Sequence, residues 1–355
     1  MNILFLDSGK HTAPSEFTES FAMQRAFKKL GVESVIWGPA FDNYNVDFSE
    51  LEKEADYIFL IENYNFDWLP KTEIKNSKKV KIFWSIDSHY VLERQKNICR
   101  ELNIDILLNA TEEYLPCFEG IVDEMYWFPN AYPDDIIFPM GVEKKFDIGF
   151  CGSIAGRGDY FDRLKKYNIR IDTNVFAEEM VRAVNSYRIH FNQNVANDIN
   201  FRTFETPGCG TFLLTNHHPN IGRLFEVGKE LVTYNSFDEL ENKIRYYIDH
   251  HDEREKIAKN GFERVKKDHT YFARCKELLK LLKNSESVFK KFDPKMDLNR
   301  FPISTIQKIY YCRYIHSKKY TFGLLISFFK SKPKPYKIYS IKTIIVFALK
   351  CLFKY

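Results

Sequence analysis

The sequence predicts an α/β fold in which two successive domains of alternating strands and helices precede a basic, aromatic C-terminal tail. Short apolar runs rich in β-branched and aromatic residues alternate with helical patterns through residues 1–140, the predicted first domain. The alternation returns through residues 141–284, the predicted second domain, and stops in residues 285–355. A chain of 355 residues also exceeds one ordinary hydrophobic core, which favours two domains.

The first domain opens with a strand, a glycine-containing loop, a helix and a second strand, as a parallel sheet does. Its strands are expected at 2–6, 32–37, 57–61, 80–86, 104–109 and 125–128, and its helices at 15–30 and 112–119. The patterns GxGxxG and GxxxxGK[ST] do not occur, so the two common glycine-rich phosphate loops are excluded. Turn-forming residues at 129–139 mark the end of the domain.

The second domain repeats this alternation of strands and helices. Its strands are expected at 147–153, 187–191, 211–215 and 230–234, and its helices at 160–167, 178–184, 238–250, 252–267 and 270–283. One more helix is expected near residue 200, with Asn197 or Asp198 as its cap. Pro207, Gly208 and Gly210 are expected to end it before the strand at 211–215.

This helix carries the first candidate binding residues. Arg202 and Glu205 are three residues apart and therefore share a helix face. The helix start and Arg202 suit phosphate oxygens, and Glu205 suits the vicinal hydroxyls of a ribose. From spacing alone, an ordinary surface ion pair is the alternative.

Cysteine content and hydropathy indicate a cytoplasmic protein. The seven cysteines lie far apart and include no CxxC pair, which argues against a disulfide framework and against a zinc site. No signal-peptide pattern is visible, and no run approaches the roughly 18–20 apolar residues of a membrane span.

The charge is unevenly distributed. Residues 301–355 contain ten lysines, one arginine and no acidic residue, so this segment carries +11 and the rest of the chain −7. An acidic body with a basic, aromatic tail indicates an anionic partner for the tail. We expect residues 330–355 to meet an anionic membrane surface, and the alternative is a helix packed on the body. The tail has no nucleic-acid-binding motif, so no nucleic acid is expected as a partner.

Candidate catalytic residues follow a predicted strand of the first domain. Asp87 and His89 come directly after the strand at 80–86, and the carboxyl ends of parallel strands face the ligand cleft. They suit a base that activates an acceptor, with its partner. The alternative is that Asp87 caps the next helix and His89 lies at the surface.

Six segments of the second domain together resemble a known family. They are residues 146–153, 201–216, 224–232, 238–240, 257–261 and 269–271. Their succession over about 120 residues is similar to the C-terminal domain of GT-B glycosyltransferases, most closely the CgeB-like, group 1 branch. The resemblance implies two facing, Rossmann-like, doubly wound domains with a cleft between them. The nucleotide sugar would bind the second domain and the acceptor the first.

The resemblance also implies roles for single residues in a metal-independent reaction without a cofactor. Arg157 and Arg202 would neutralise the leaving diphosphate, and Glu205 would bind the ribose. Gly152 and Gly210 would let the backbone approach the donor. The chain departs from the family at Asn197, because retaining members carry a glutamate there.

His190 also lies at a strand end of the second domain and could reach the donor, with a structural histidine as the alternative. The resulting hypothesis is a hexosyltransferase-like glycosyltransferase that moves a sugar to a hydroxyl of a glycan or of a lipid-linked acceptor. A nucleotide-sugar epimerase or hydrolase and a non-catalytic membrane adaptor are the alternatives.

Overall fold

A computed structural model describes residues 1–10, 13–195 and 198–317. Two parallel sheets organise these residues, which confirms the predicted α/β fold with two Rossmann-like domains. Asn197 and the tail segment 330–355 lie outside the described residues, so what the sequence predicts for them stays a prediction. Within the described part of the chain, no helix combines the length and the apolar character needed to cross a membrane.

The first sheet has six strands in the order β2-β1-β3-β4-β5-β6, all pairing in parallel. The strands are β1 (Asn2–Leu6), β2 (Glu33–Trp37), β3 (Tyr57–Ile61), β4 (Val80–Ser85), β5 (Ile106–Asn109) and β6 (Glu124–Trp127). The helices are α1 (Glu19–Lys29), α2 (Phe48–Glu54), α3 (Lys71–Asn76) and α4 (Ser88–Leu102). Helix α1 covers one face of the sheet and α2 to α4 cover the other, which explains the continuous apolar runs of the strands.

Two predicted helices of this domain differ from the structure. The helix expected at 15–30 begins with a 3₁₀ turn at Ser15–Phe17 and becomes α-helical only at Glu19. The segment Glu112–Phe118 is a 3₁₀ helix that contains Pro116. Proline has no backbone N–H and clashes with the preceding turn, so it disfavours an α-helix there.

The second sheet has five strands in the order β11-β10-β9-β7-β8, also parallel. The strands are β7 (Phe146–Cys151), β8 (Arg170–Asp172), β9 (Tyr187–Asn192), β10 (Phe212–Asn216) and β11 (Val232–Tyr234). The helices that cover them are α5 (Gly158–Leu164), α6 (Ala177–Asn185), α7 (Arg202–Gly208), α8 (Phe237–Asp249) and α9 (His251–Asp268). Gly261 of α9 is required by close packing, because a Cβ there would lie 2.3 Å from the carbonyl oxygen of Glu230.

The predicted boundaries of α7 are wrong. The helix begins at Arg202, its N-cap residue is Phe201, and no side chain caps it. Asp198 accepts a hydrogen bond from the Thr111 hydroxyl instead of capping the helix. Pro207 and Gly208 lie inside the last turn rather than after it.

The chain returns to the first domain after α9. Helix α10 (Tyr271–Leu282) packs beside α1 on the first sheet, where Cys275 and Leu278 join its core. Helix α11 (Ile303–Ser317) covers the opposite face, where Ile309 is buried in the core of the same domain. The predicted boundaries at 140 and 284 stay predictions, and the packing adds that the first domain takes up chain from both ends of the sequence.

Candidate functional site

A cavity of about 640 Å³ lies between the domains at the carboxyl ends of the first sheet's strands. Ser8 and Lys10 follow β1, Glu62 follows β3, and Asp87 follows β4, and all four line it. The second domain adds two aromatic walls, Phe176 and Phe201. We call this space the cleft cavity. The position agrees with the rule that parallel sheets bind ligands at their carboxyl edge.

Asp87 faces the cleft cavity, but its predicted partner does not join it. The Tyr64 hydroxyl donates a hydrogen bond of 3.1 Å to the Asp87 carboxylate. Asp87 occupies the N-cap position of α4 without capping it through its side chain. The ring of His89 lies tilted against that of Tyr90, with 4.0 Å between ring centroids, and burial lowers the pKa of His89. The described residues show no hydrogen bond between Asp87 and His89, although the Asp87 charge partly offsets the lowering of the His89 pKa, so their pairing as base and partner stays a prediction.

Glu62 is a functional candidate that the sequence analysis missed. Its carboxylate accepts hydrogen bonds from the backbone N–H groups of Ile86 and Asp87 and from the Gln95 amide. These bonds fix the turn that presents Asp87. Burial raises the pKa of Glu62 to about 7, although those hydrogen bonds act in the opposite direction and lower it. The sequence signal that could have identified Glu62 was its position just after strand β3, since Asp87 lies just after strand β4.

In the second domain, Arg202 and Glu205 form the predicted pair at the start of α7. The guanidinium contacts the Glu205 carboxylate, and its Nε donates to the Cys151 carbonyl at the end of β7. Their side chains are 22% and 13% exposed, so this is a half-buried pair and not an ordinary surface one. Burial alone would lower the pKa of Arg202. The negative charge of Glu205 outweighs the effect of burial, so the pKa of Arg202 is raised above its usual value. Phe201, the preceding residue, lines the cleft cavity, whereas Arg202 and Glu205 are not part of its lining.

Arg157 also lies beyond the carboxyl edge of the second sheet. Its Nε donates to the Gln193 carbonyl at 2.8 Å and one terminal nitrogen donates to the Ser153 carbonyl at 2.7 Å. Burial lowers its pKa, and Tyr90 of the first domain partly offsets this. The electrostatic influence of Tyr90 indicates that Arg157 faces the first domain.

The two predicted glycines lie at opposite edges of the second sheet. Gly152 follows β7 directly with a φ of 146°, and an added Cβ would meet only the Phe150 ring at 3.6 Å. Its backbone is therefore open to a ligand. Gly210 precedes β10 at the amino edge, and its Cβ would approach Pro139 to 3.2 Å. The prediction that Gly210 binds the donor is therefore wrong.

His190 is a structural residue and not a donor ligand. It is fully buried in β9, where its Nε2 accepts the Cys151 N–H at 3.2 Å and its Nδ1 lies 2.5 Å from the Thr206 hydroxyl. An accepting Nε2 leaves the proton on Nδ1, which donates to Thr206. Burial lowers its pKa to about 3, so the ring is neutral. Both nitrogens are used inside the domain.

The comparisons with known proteins agree with this geometry. Residues 142–280 match a family model described as glycosyl transferase-like. Among solved structures, the chain is similar to an alpha-glucosyltransferase in complex with UDP and a 13-mer DNA, with a TM-score of 0.59, 10% identity, and coverage of 80% of this chain and 99% of that one. The fold is that of a glycosyltransferase.

Two further structures support the two-domain GT-B architecture of this chain. Anabaena Alr3699/HepE in complex with UDP and glucose gives a TM-score of 0.52 at 13% identity, over 80% of this chain and 100% of that one. Sucrose-phosphate synthase from Thermosynechococcus elongatus gives 0.55 at 10% identity, over 80% and 98%. No curated protein sequence matches the chain.

Buried polar contacts join the two domains of the protein. Asp198 accepts from the Thr111 hydroxyl at 3.2 Å, and His218 lies 2.8 Å from Glu113. The Asn130 amide donates to the Ile199 carbonyl at 3.2 Å. Burial, strengthened by the negative charge of Asp87, raises the pKa of Asp198 to about 7. The contact between the domains therefore contains a carboxyl that titrates near neutral pH.

We expect Asp198→Asn to stabilise the protein at alkaline pH. The pKa of Asp198 is raised from 3.8 to about 7, so the folded state holds an extra proton between these values and wild-type stability falls as pH rises through this window. Asparagine keeps the acceptor for Thr111 and carries no charge. The gain in the free energy of unfolding, measured by urea titration, should grow from near zero at pH 4 to on the order of a few kcal/mol at pH 8.

The matched control is Asp134→Asn, which changes an exposed carboxyl in the segment that joins the domains. Its effect should vary little with pH. A difference between wild type and Asp198→Asn that is equal at pH 4 and pH 8 would contradict the burial argument.

Proposed function

We propose that this protein transfers a sugar from a UDP-sugar to a hydroxyl group of a glycan or of a lipid-linked acceptor. The observation that supports it most is the half-buried Arg202–Glu205 pair beside an interdomain cavity that contains Asp87. Within the glycosyltransferases, we assign the chain to the CgeB-like, group 1 branch. The choice of uridine rests on two structural neighbours that are complexes with UDP.

The donor would lie on the carboxyl edge of the second sheet. The Glu205 carboxylate can accept hydrogen bonds from two vicinal ribose hydroxyls. Arg202 and Arg157 would face the diphosphate, and the open backbone at Gly152 would allow a close approach. Asn197 stands where retaining relatives carry a glutamate, and its amide could bind a sugar hydroxyl.

The acceptor would occupy the cleft cavity. Its walls include Phe17, Tyr64, Trp68, Phe176 and Phe201, which give flat apolar surfaces of the kind that pack against sugar rings. A volume of about 640 Å³ is in the range of small-molecule sites.

Asp87 would act as the base. It takes the proton of the acceptor hydroxyl, the acceptor oxygen attacks the anomeric carbon, and the bond from that carbon to the diphosphate oxygen breaks. Arg202 and Arg157 stabilise the negative charge that develops on the leaving diphosphate. Glu62 holds the turn of Asp87, and neither a metal nor a cofactor is part of the proposal.

Donor binding should depend on the Arg202–Glu205 pair. In both Arg202→Ala and Glu205→Ala, we expect the Kd for UDP, measured by calorimetry, to rise about tenfold or more, because each variant loses charge-assisted hydrogen bonds. The matched control is Arg182→Ala, which breaks an exposed helical ion pair with Glu178. UDP affinities that match this control would refute the donor site, and stronger binding of GDP or ADP would refute the choice of uridine.

Catalysis should depend on Asp87. Asp87→Asn keeps the acceptor of the Tyr64 hydroxyl but cannot take a proton, so kcat should fall by about 10²–10⁴ while the Kd for UDP stays unchanged. Asp67→Asn, at an exposed residue of a nearby loop, is the control. Wild-type kcat in Asp87→Asn would exclude this base. Donor consumption that needs no acceptor would favour an epimerase or hydrolase.

We further propose that residues 330–355 hold the enzyme at the cytoplasmic face of a membrane, where lipid-linked acceptors lie. The proposal rests on the basic and apolar sequence of this segment alone. Deletion of 330–355 should abolish cosedimentation with phosphatidylglycerol vesicles and leave the Kd for UDP unchanged. Equal cosedimentation of the full and shortened chains would exclude this role.

A further inference from the structure

A second cavity, of about 670 Å³, shares no lining residue with the cleft cavity. It lies where α9 passes into α10, and residues of both domains line it. Trp127 belongs to the first domain and Arg223 to the second, and their side chains touch, with the guanidinium 4.2 Å from the ring centroid. The lining carries seven lysines and arginines against four aspartates and glutamates.

Arg274 is the most deeply buried of the charged residues that line this cavity. Its side chain is 5% exposed, and one terminal nitrogen donates to the Asn130 carbonyl at 3.0 Å and to His269 Nδ1 at 3.1 Å. Its Nε has no hydrogen-bond partner among the described residues. Nor does any ion pair in residues 1–10, 13–195 and 198–317 include Arg274. Burying a guanidinium without a carboxylate partner costs free energy of folding, because no ion pair offsets the loss of its hydration.

The described neighbours of Arg274 do not form an ion pair with it, although the charge of Asp268 acts on it from a distance. His269 accepts at Nδ1 and therefore donates from Nε2 to the Leu224 carbonyl, and burial lowers its pKa to about 3. It is a neutral ring. The Asp268 carboxylate pairs at 2.8 Å with Arg264.

The rest of the cavity combines exposed cations with apolar walls. Lys267, Lys276 and Lys290 are exposed at its rim, and the ion pairs of the described residues include none of them. Trp127 and Phe289 supply flat apolar surfaces, and Arg274 lies 6.0 Å from the Phe289 ring centroid. Such a site suits a small anion of several charges that also carries an apolar body.

We propose that the second cavity binds a diphosphate ester whose anionic head faces Arg274 and the rim lysines and whose apolar body packs on Trp127 and Phe289. The ligand would compensate the buried guanidinium. Because the cavity is lined from both domains, the ligand would also hold them in one relative position. This site is separate from the proposed donor site and does not depend on it.

Two probes with the same head distinguish a bare anion from an amphiphile. Inorganic pyrophosphate supplies the head alone, and geranyl diphosphate adds an apolar chain. Calorimetric titration of the full-length protein without divalent metal should give saturable binding of both probes, tighter for geranyl diphosphate because apolar area is buried. Raising the salt concentration should weaken both.

The decisive variant is Lys267→Gln/Lys276→Gln, which changes two exposed rim residues and leaves the core intact. It should weaken pyrophosphate binding tenfold or more, whereas Lys28→Gln/Lys75→Gln, with the same charge change on exposed residues of α1 and α3, should not. Because pyrophosphate also fits the proposed donor site, the rim and control changes are compared in an Arg202→Ala background, in which saturable binding should persist. The proposal fails if the rim variant binds like its Arg202→Ala parent, if Arg202→Ala abolishes binding, or if neither probe binds.

Discussion

Every pairing among the named strands is parallel, and this constraint decides where chemistry can occur in the molecule. All strands of a parallel sheet end at the same edge, so the loops after β1, β3, β4 and β5 must share one surface. Glu62, Asp87 and Thr111 are brought together in this way, although they are far apart in sequence. The second sheet presents Arg202 and Gly152 at its own carboxyl edge. The two edges meet at Asp198, which bonds to Thr111 across the domains.

Most strands could be located from sequence, because strands covered on both faces are continuous apolar runs. The edge strand β8 (Arg170–Asp172) was not predicted, because it has only three residues, two of them charged, and therefore no apolar run. The helices α2 and α3, of seven and six residues, are too short for a helical period to stand out. The predicted start of α7 was wrong because the prediction assigned Asp198 as a helix cap from local sequence preferences alone. In the structure, Asp198 instead forms a hydrogen bond with the other domain.

The candidate site was only partly predictable. The Arg202–Glu205 pair follows from spacing on a helix, and Asp87 follows from its place after a strand. Gly210 and His190 were assigned wrongly, because sequence does not show which sheet edge a turn occupies or how deeply a ring is buried. Glu62 directly follows β3 and Asp87 is the second residue after β4, so both lie just beyond a strand. Only the bonds of Glu62 to the neighbouring turn distinguish it from a surface carboxylate.

The return of α10 to the first domain determines the order in which the protein can fold during synthesis. Helix α10 supplies Tyr271, whose ring lies 6.4 Å from that of the buried Trp84, and it covers a face of the first sheet beside α1. The part of that face beside α1 stays uncovered until the ribosome has released α10, which follows the second domain's strands. Domains made on the ribosome generally fold from the N-terminus. Here the domain that is synthesised first is completed only after those strands, so part of its apolar face is accessible to chaperones in the meantime.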